Sequence, residues 1–293
     1  MRGMGERLFV GLQHLLPQHP LSRIVLRATR STHPRWKNFL IRRFVAGFAP
    51  DMTDAIETQP LAYPSFNAFF TRALRPDARP LAGDESVVAC PVDGTVSQIG
   101  ALDEERILQA KGRSYSLDAL LARPGCWSRT FTGGAFATLY LAPYNYHRIH
   151  APLTGILREA WYVPGRLFSV NAATAAGVDN LFARNERVIC ILEHEHFFYA
   201  VILVGALFVG SMATVWHGDI TPRSRHAVAP LKPSNAERPP AISRGAELGR
   251  FNMGSTVILL FPPQRITWTP GLEVGSQVQV GQSLARVIGE AAP

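Results

Sequence analysis

Residues 197–216 run for twenty positions, from Phe197 to Trp216, without one charged side chain. That length is enough to span a bilayer as a helix, so the run decides between a membrane-spanning chain and a β-rich one. Gly205 and Gly210 interrupt it, and β-branched residues are frequent. Neither end has the basic flank that orients an inserted helix. Two buried strands joined near Gly205-Ala206 account for the same residues, and strands are the expectation.

The surroundings agree. From about Leu61 the chain consists of short β-type runs punctuated by Gly and Pro, with strands expected at Val87–Cys90, Phe136–Leu141, 156–163, 187–193 and 257–261. Ser65–Arg72 reads as a short helix, and Asp93-Gly94 marks a tight turn. Near the end Val274, Val278, Val280, Leu284 and Val287, spaced by Gly275 and Gly281, suggest a hammerhead-like β-hairpin module. The expected class is α+β: basic amphipathic helices over residues 1–60, then a β-rich, sandwich- or barrel-like domain over 61–293.

The helices carry the charge. Residues 1–50 hold nine basic groups against one acid, Glu6, which is the whole of the net +8; the rest of the chain has 21 of each sign. Leu8, Leu12, Leu15 and Leu16 share one face of a first helix ended by Pro17. Leu21, Ile24, Val25 and Leu26 form a second cluster. Trp36, Phe39, Leu40, Phe44 and Phe48 form a third, among Arg35, Lys37, Arg42 and Arg43. Helices of this kind suit an anionic bilayer surface. The alternative is packing on the protein's own core with arginines to solvent. No nucleic-acid recognition motif is present, so no nucleic-acid partner is expected. The apolar runs are too short and too broken by Pro for a secretory signal. Three cysteines, Cys90, Cys126 and Cys190, without a CxxC, suit a reducing compartment.

The chemistry-bearing residues are scattered. Asp93, His150 and Ser255 are the side-chain types of a nucleophilic relay, yet 22 acids and nine histidines make many such triples. There is no G-x-S-x-G elbow. His147 and His150, with His194, His196 and His217, offer a metal site that no HExxH or Cys pair supports. In Gly254-Ser255-Thr256 the ordinary reading is a turn whose hydroxyls satisfy backbone groups. The reactive reading is attack of Ser255 Oγ on the unhindered Gly254 carbonyl. The residues leave both open.

Six segments in order carry a resemblance: Phe66-Asn67-Ala68-Phe69-Phe70-Thr71-Arg72, Pro91-Val92-Asp93-Gly94, Tyr146-His147-Arg148-Ile149-His150-Ala151-Pro152, Pro164-Gly165-Arg166-Leu167-Phe168-Ser169-Val170-Asn171, Leu181-Phe182-Ala183-Arg184-Asn185-Glu186-Arg187 and Gly249-Arg250-Phe251-Asn252-Met253-Gly254-Ser255-Thr256. Together they resemble the pyruvoyl-dependent phosphatidylserine decarboxylase proenzymes of bacterial type, over roughly residues 60 to 290. Met253 stands where Leu is usual and Arg244 where Lys is often found.

The resemblance implies self-cleavage between Gly254 and Ser255 into a β chain, 1–254, and an α chain, 255–293. Asp93 would orient His150, and His150 would take the Ser255 proton. Oγ attack converts the amide to an ester, elimination frees residue 254, and hydrolysis with loss of ammonia leaves a pyruvoyl group derived from Ser255. That covalent cofactor supplies an electron sink that no ordinary side chain offers, and His147 would return a proton to the substrate carbon. The implied reaction turns phosphatidylserine into phosphatidylethanolamine and carbon dioxide. The implied place is the cytoplasmic side of the cell membrane, peripherally bound to an anionic surface. A homo-oligomer is compatible with this; Arg72, Arg75 and Arg166 are candidate headgroup contacts, and no metal is expected. The competing readings are a membrane-associated Ser-His-Asp lipid or ester hydrolase, which would stay one chain, and a non-catalytic membrane scaffold.

Overall fold

The structure, a computed structural model, describes residues 4–110, 112–123, 125, 127–207, 211–220, 227–234, 238–253 and 256–289. Gly254, Ser255 and Cys126 lie outside the described residues. Three helices open the chain: α1 (Met4–Leu15), α2 (Gln18–Arg30) and α3 (Pro34–Phe48). Pro17 separates the first two, and Pro34 starts the third, where a missing N–H costs nothing. A fourth, α4 (Phe66–Phe70), is capped by the Ser65 hydroxyl accepting from the Ala68 N–H. Its aromatic residues and Phe44 of α3 meet edge-on, with Ile41 and Tyr63 completing a small satellite core.

The rest is a β-rich body, so the α+β expectation holds. A nine-stranded antiparallel sheet has Thr256–Phe261 at its centre, flanked by Ala135–Tyr140 and Phe197–Val204. All six residues of that central strand are buried; a strand covered on both faces has no solvent side to alternate toward, hence Thr-Val-Ile-Leu-Leu-Phe. The sheet continues outward through Arg187–His194 and Gly155–Val163 on one side and Gly94–Ala101 on the other. It is open, and the described strands close no barrel.

The uncharged run is therefore strands, in a different arrangement from a simple hairpin. Phe197–Val204 belongs to the large sheet, whereas Met212–Thr214 pairs with Glu247–Phe251 in a separate four-stranded sheet. No helix among the described residues is long and apolar enough to cross a membrane. Near the C-terminus the residues expected to form one hairpin are divided between two sheets: Ser283–Val287 pairs with Ile266–Trp268 and Val87–Ala89, whereas Gln277–Val278 pairs with Gly94 and Thr95 of the large sheet. Cys90 and Cys190 are buried and free.

Candidate active site

The four-stranded sheet sets the two histidines of the Tyr146–Pro152 segment. Arg148–His150 pairs with Glu247–Phe251, so His150 lies opposite Glu247, and the Phe251 N–H donates to the His147 carbonyl at 3.0 Å. His147 thus stands level with the residue three before Gly254, and His150 stands at the far end of the pairing.

His147 is fully buried. Its Nδ1 lies 2.8 Å from the Asn145 carbonyl, and because a carbonyl only accepts, Nδ1 carries the hydrogen and Nε2 a lone pair. That Nε2 has no hydrogen-bond partner among the described residues. The Phe70 ring packs against the imidazole, centroids 4.1 Å apart. Burial pushes the His147 pKa down to about 3, with the Arg72 charge adding to it and the Asn145 carbonyl opposing. His147 is therefore a neutral base at ordinary pH.

His150 is held otherwise than expected. Its Nδ1 donates to the Gly245 carbonyl at 2.7 Å, and its Nε2 lies 3.0 Å from the Tyr146 hydroxyl, which donates to it. Gly245 sits at φ +77, a left-handed conformation open to glycine, in the turn that aims this carbonyl. Burial lowers the His150 pKa, opposed by the Gly245 carbonyl and by the charges of Glu247 and Asp93.

Asp93 is turned elsewhere. Arg79 grips its carboxylate with Nε at 3.1 and 3.2 Å and a terminal nitrogen at 2.7 Å, and the Val280 N–H adds a bond of 2.9 Å. The expected Asp93–His150 hydrogen bond is thus replaced by two separate arrangements, because a bidentate guanidinium outcompetes a neutral imidazole for a carboxylate. The two residues remain neighbours: the His150 N–H donates to the Pro91 carbonyl, two residues before Asp93. Local pattern does not single out Tyr146, Gly245 or Arg79. Tyr146 lies inside the histidine segment and is legible there; Arg79 and Gly245 gain their importance only from proximity in space.

The residues that flank Gly254-Ser255 are anchored on both sides. Asn252 accepts from the Asn67 amide at 3.0 Å through its carbonyl, and its own amide bonds the Ser211 hydroxyl. Met253 lines an apolar pocket of about 280 Å³ with Phe44, Phe48, Phe70, Tyr140 and Val170. On the other side Thr256 stands between Tyr140 and Val204 in the large sheet, fully buried, with its hydroxyl lacking a partner among the described residues.

The three arginines offered as headgroup contacts are engaged within the protein. Arg72 donates to the Asp51 and Tyr144 carbonyls, Arg75 to the Thr53 carbonyl, and Arg166 to the His14 carbonyl. His194 and His217 donate to the Thr154 and Lys232 carbonyls.

Comparison with known proteins decides the family. The profile described as phosphatidylserine decarboxylase matches residues 66–286, and a second, described as PSD, matches residues 8–49. The chain belongs to the phosphatidylserine decarboxylase family. Family members named phosphatidylserine decarboxylase proenzyme include one from Bordetella bronchiseptica, 49% identical over 96% of this chain and 94% of its own length. One from Pseudomonas aeruginosa is 49% identical over 96% and 97%, and one from Azotobacter vinelandii 47% identical over 97% and 99%. Membership makes the chain a decarboxylase, and nothing found favours a hydrolase.

Proposed function

We propose that this protein decarboxylates phosphatidylserine to phosphatidylethanolamine after cutting itself between Gly254 and Ser255. The observation that carries the chemistry is His147: a buried neutral imidazole with a free lone pair, beside the strand that leads into Gly254-Ser255. A covalent pyruvoyl group at residue 255 would supply the carbonyl electron sink that the side chains lack. The surroundings fit such a group: two buried polar atoms without partners among the described residues, His147 Nε2 and Thr256 Oγ1, and an apolar pocket walled by Met253 and Phe70.

In this reading His150 is the base for cleavage. Its Nε2 presents a lone pair that the Tyr146 hydroxyl occupies, and the Ser255 hydroxyl takes that place, passing its proton to the ring while Oγ bonds to the Gly254 carbonyl carbon. Asp93 acts through its charge, which favours the imidazolium, and through the Pro91–Gly94 turn that it anchors with Arg79. During turnover His147 Nε2 would give a proton to the substrate carbon when carbon dioxide has left, a proton it takes from solvent as the anionic substrate binds, because nearby negative charge favours the imidazolium that burial alone disfavours. The pocket excludes water from the reacting carbon. The new chain end is held fast whatever happens before it, because Thr256–Phe261 is hydrogen-bonded to neighbours on both sides.

Residues 1–60 serve as the surface segment and 61–293 as the catalytic part, bound peripherally at the cytoplasmic side of the cell membrane. Support comes from the outer faces of the helices. Leu8, Leu12, Leu15, Ile24, Trp36, Phe39 and Phe48 are exposed, Leu15 at 82%, and Arg23, Arg27, Arg35, Arg42 and Arg43 lie exposed among them. Such a face is costly in water and favourable at an anionic interface.

Intact mass spectrometry is the test. The purified protein should give a fragment of the 39 residues from Ser255 onward with a blocked N-terminus, and Ser255→Ala should remain one inactive chain. A single uncut chain that still releases carbon dioxide from phosphatidylserine refutes the reading.

A further inference from the structure

The segment from Pro164 to Asn171 has no role in the chemistry above, yet its backbone is held on every side. Its Ser169 and Val170 line the apolar pocket beside Met253. From one side Asn185 accepts from the Phe168 N–H at 3.0 Å and donates to the Phe168 and Gly205 carbonyls, both at 2.8 Å. Gly165 lies so close to the next segment that a Cβ there would stand 2.5 Å from the Arg184 carbonyl oxygen.

From the other side the partners are the N-terminal helices. Gln18 accepts from the Leu167 N–H at 2.9 Å, and Gln13 accepts from the Ser169 N–H at 2.7 Å. His19 meets the Gly165 carbonyl at 2.9 Å. The two glutamines are 1% and 3% exposed, and their amide nitrogens are also used, Gln18 on the Gln13 carbonyl and Gln13 on the Thr174 hydroxyl. α1 and α2 are therefore inverted relative to the helices of a soluble domain: Gln13, Gln18 and Ser22 face the protein, and Leu8, Leu12, Leu15 and Ile24 face out. A helix whose only task was adsorption would need no such inner face. Burying two primary amides is unfavourable unless both ends of each are bonded, and here they are bonded to the backbone of a pocket wall.

We propose that Gln13 and Gln18 are positioning residues for the reaction. Through the Leu167 and Ser169 amides they hold the 165–170 wall of the pocket that takes the lipid part of the substrate. The helices whose outer side meets the membrane thus complete the pocket on their inner side. This rests on the pocket being the substrate's, and it requires that the glutamines matter even for a substrate dispersed as monomers, with no membrane present.

The test uses the full-length, self-cleaved protein, a short-chain phosphatidylserine below its micelle concentration, and hydrogen exchange at the two amides. In Gln13→Met/Gln18→Met the Leu167 and Ser169 amides should exchange up to about tenfold faster, since each loses one hydrogen bond of ordinary strength. KM for the dispersed lipid should rise by a similar factor, with kcat within about twofold, since the wall does not touch the reacting carbon. The single variants separate the two clamps: Gln18→Met should speed exchange at Leu167 and leave Ser169 slow, and Gln13→Met the reverse. If the double variant does not accumulate, the single variants carry the test, and exchange that rises at the wrong amide, or a KM unchanged in both, overturns the proposal. Unchanged exchange in the methionine variant overturns it, and so does faster exchange with an unchanged KM. Failure of the wild type to turn over phosphatidylserine would instead sink the proposed function, with the exchange result still reporting on the clamp.

Discussion

His147 provides the sharpest quantitative expectation. In the unfolded chain its imidazole takes a proton below the ordinary value of 6.5, whereas in the native protein burial delays protonation to about pH 3. Between these values the unfolded state binds the extra proton, so stability increases with pH across that window and is lost as the solution is acidified. At 1.36 kcal/mol per pH unit, moving from above pH 6.5 to pH 5 should cost the wild type about 2 kcal/mol through this residue alone. The perturbation is His147→Gln, which removes the titration and leaves an amide to donate to Asn145. The assay is urea unfolding at pH 7.5 and pH 5, with both proteins also carrying Ser255→Ala so that one uncut chain unfolds. Every other group, His150 included, titrates alike in the two proteins and cancels. The wild type should lose about 2 kcal/mol more than the glutamine variant over this interval. Parallel losses would refute the buried, neutral His147, and with it the lone pair on which its part in turnover depends.

Arg79→Met should destabilise the protein by roughly 3 kcal/mol in urea unfolding, because it strands the buried Asp93 carboxylate. Arg79→Lys should recover only part of this, a point charge being unable to repeat the two-point grip. Glu186 is buried beside the Tyr162 hydroxyl, and burial pushes its carboxyl up to about 8 from 4.5. The native state keeps the proton that the unfolded state releases, so stability falls as pH rises from 4.5 toward 8; Glu186→Gln should flatten that decline in thermal melts. The triple change Leu8→Ser, Leu12→Ser and Leu15→Ser should reduce binding to anionic vesicles at least tenfold, since each exposed leucine is worth up to about 1.5–3 kcal/mol when buried in lipid. Undiminished sedimentation with vesicles would remove these leucines from the interface.

Much of this protein is legible in its local pattern. The run 257–261 reads as a strand because it is continuously apolar and β-type, and the structure puts it at the centre of the large sheet. Gly205 and the β-branched residues around it separate Phe197–Trp216 into strands, because a strand needs only local extension and two neighbours to pair with. The family segments, which are short and ordered, place His147, His150 and Asp93 in one region for the same reason: each is a compact piece of chain with its own turn chemistry.

Partnership is what the pattern does not contain. Asp93 and His150 are suitable for each other chemically, but Arg79 and Gly245 stand nearer to them, and nothing in 79, 93, 150 and 245 as numbers reveals that. Leu8, Leu12 and Leu15 mark a helix with an apolar side, yet periodicity carries no direction, so it cannot tell a side that faces the core from one that faces outward. Only the tertiary structure turns Gln13 and Gln18 inward onto the Leu167 and Ser169 amides and the leucines outward. Local sequence determines dihedral preference and period; which groups meet is settled by how the whole chain packs, because a hydrogen bond or a buried face depends on distances that close only when segments far apart in sequence come together.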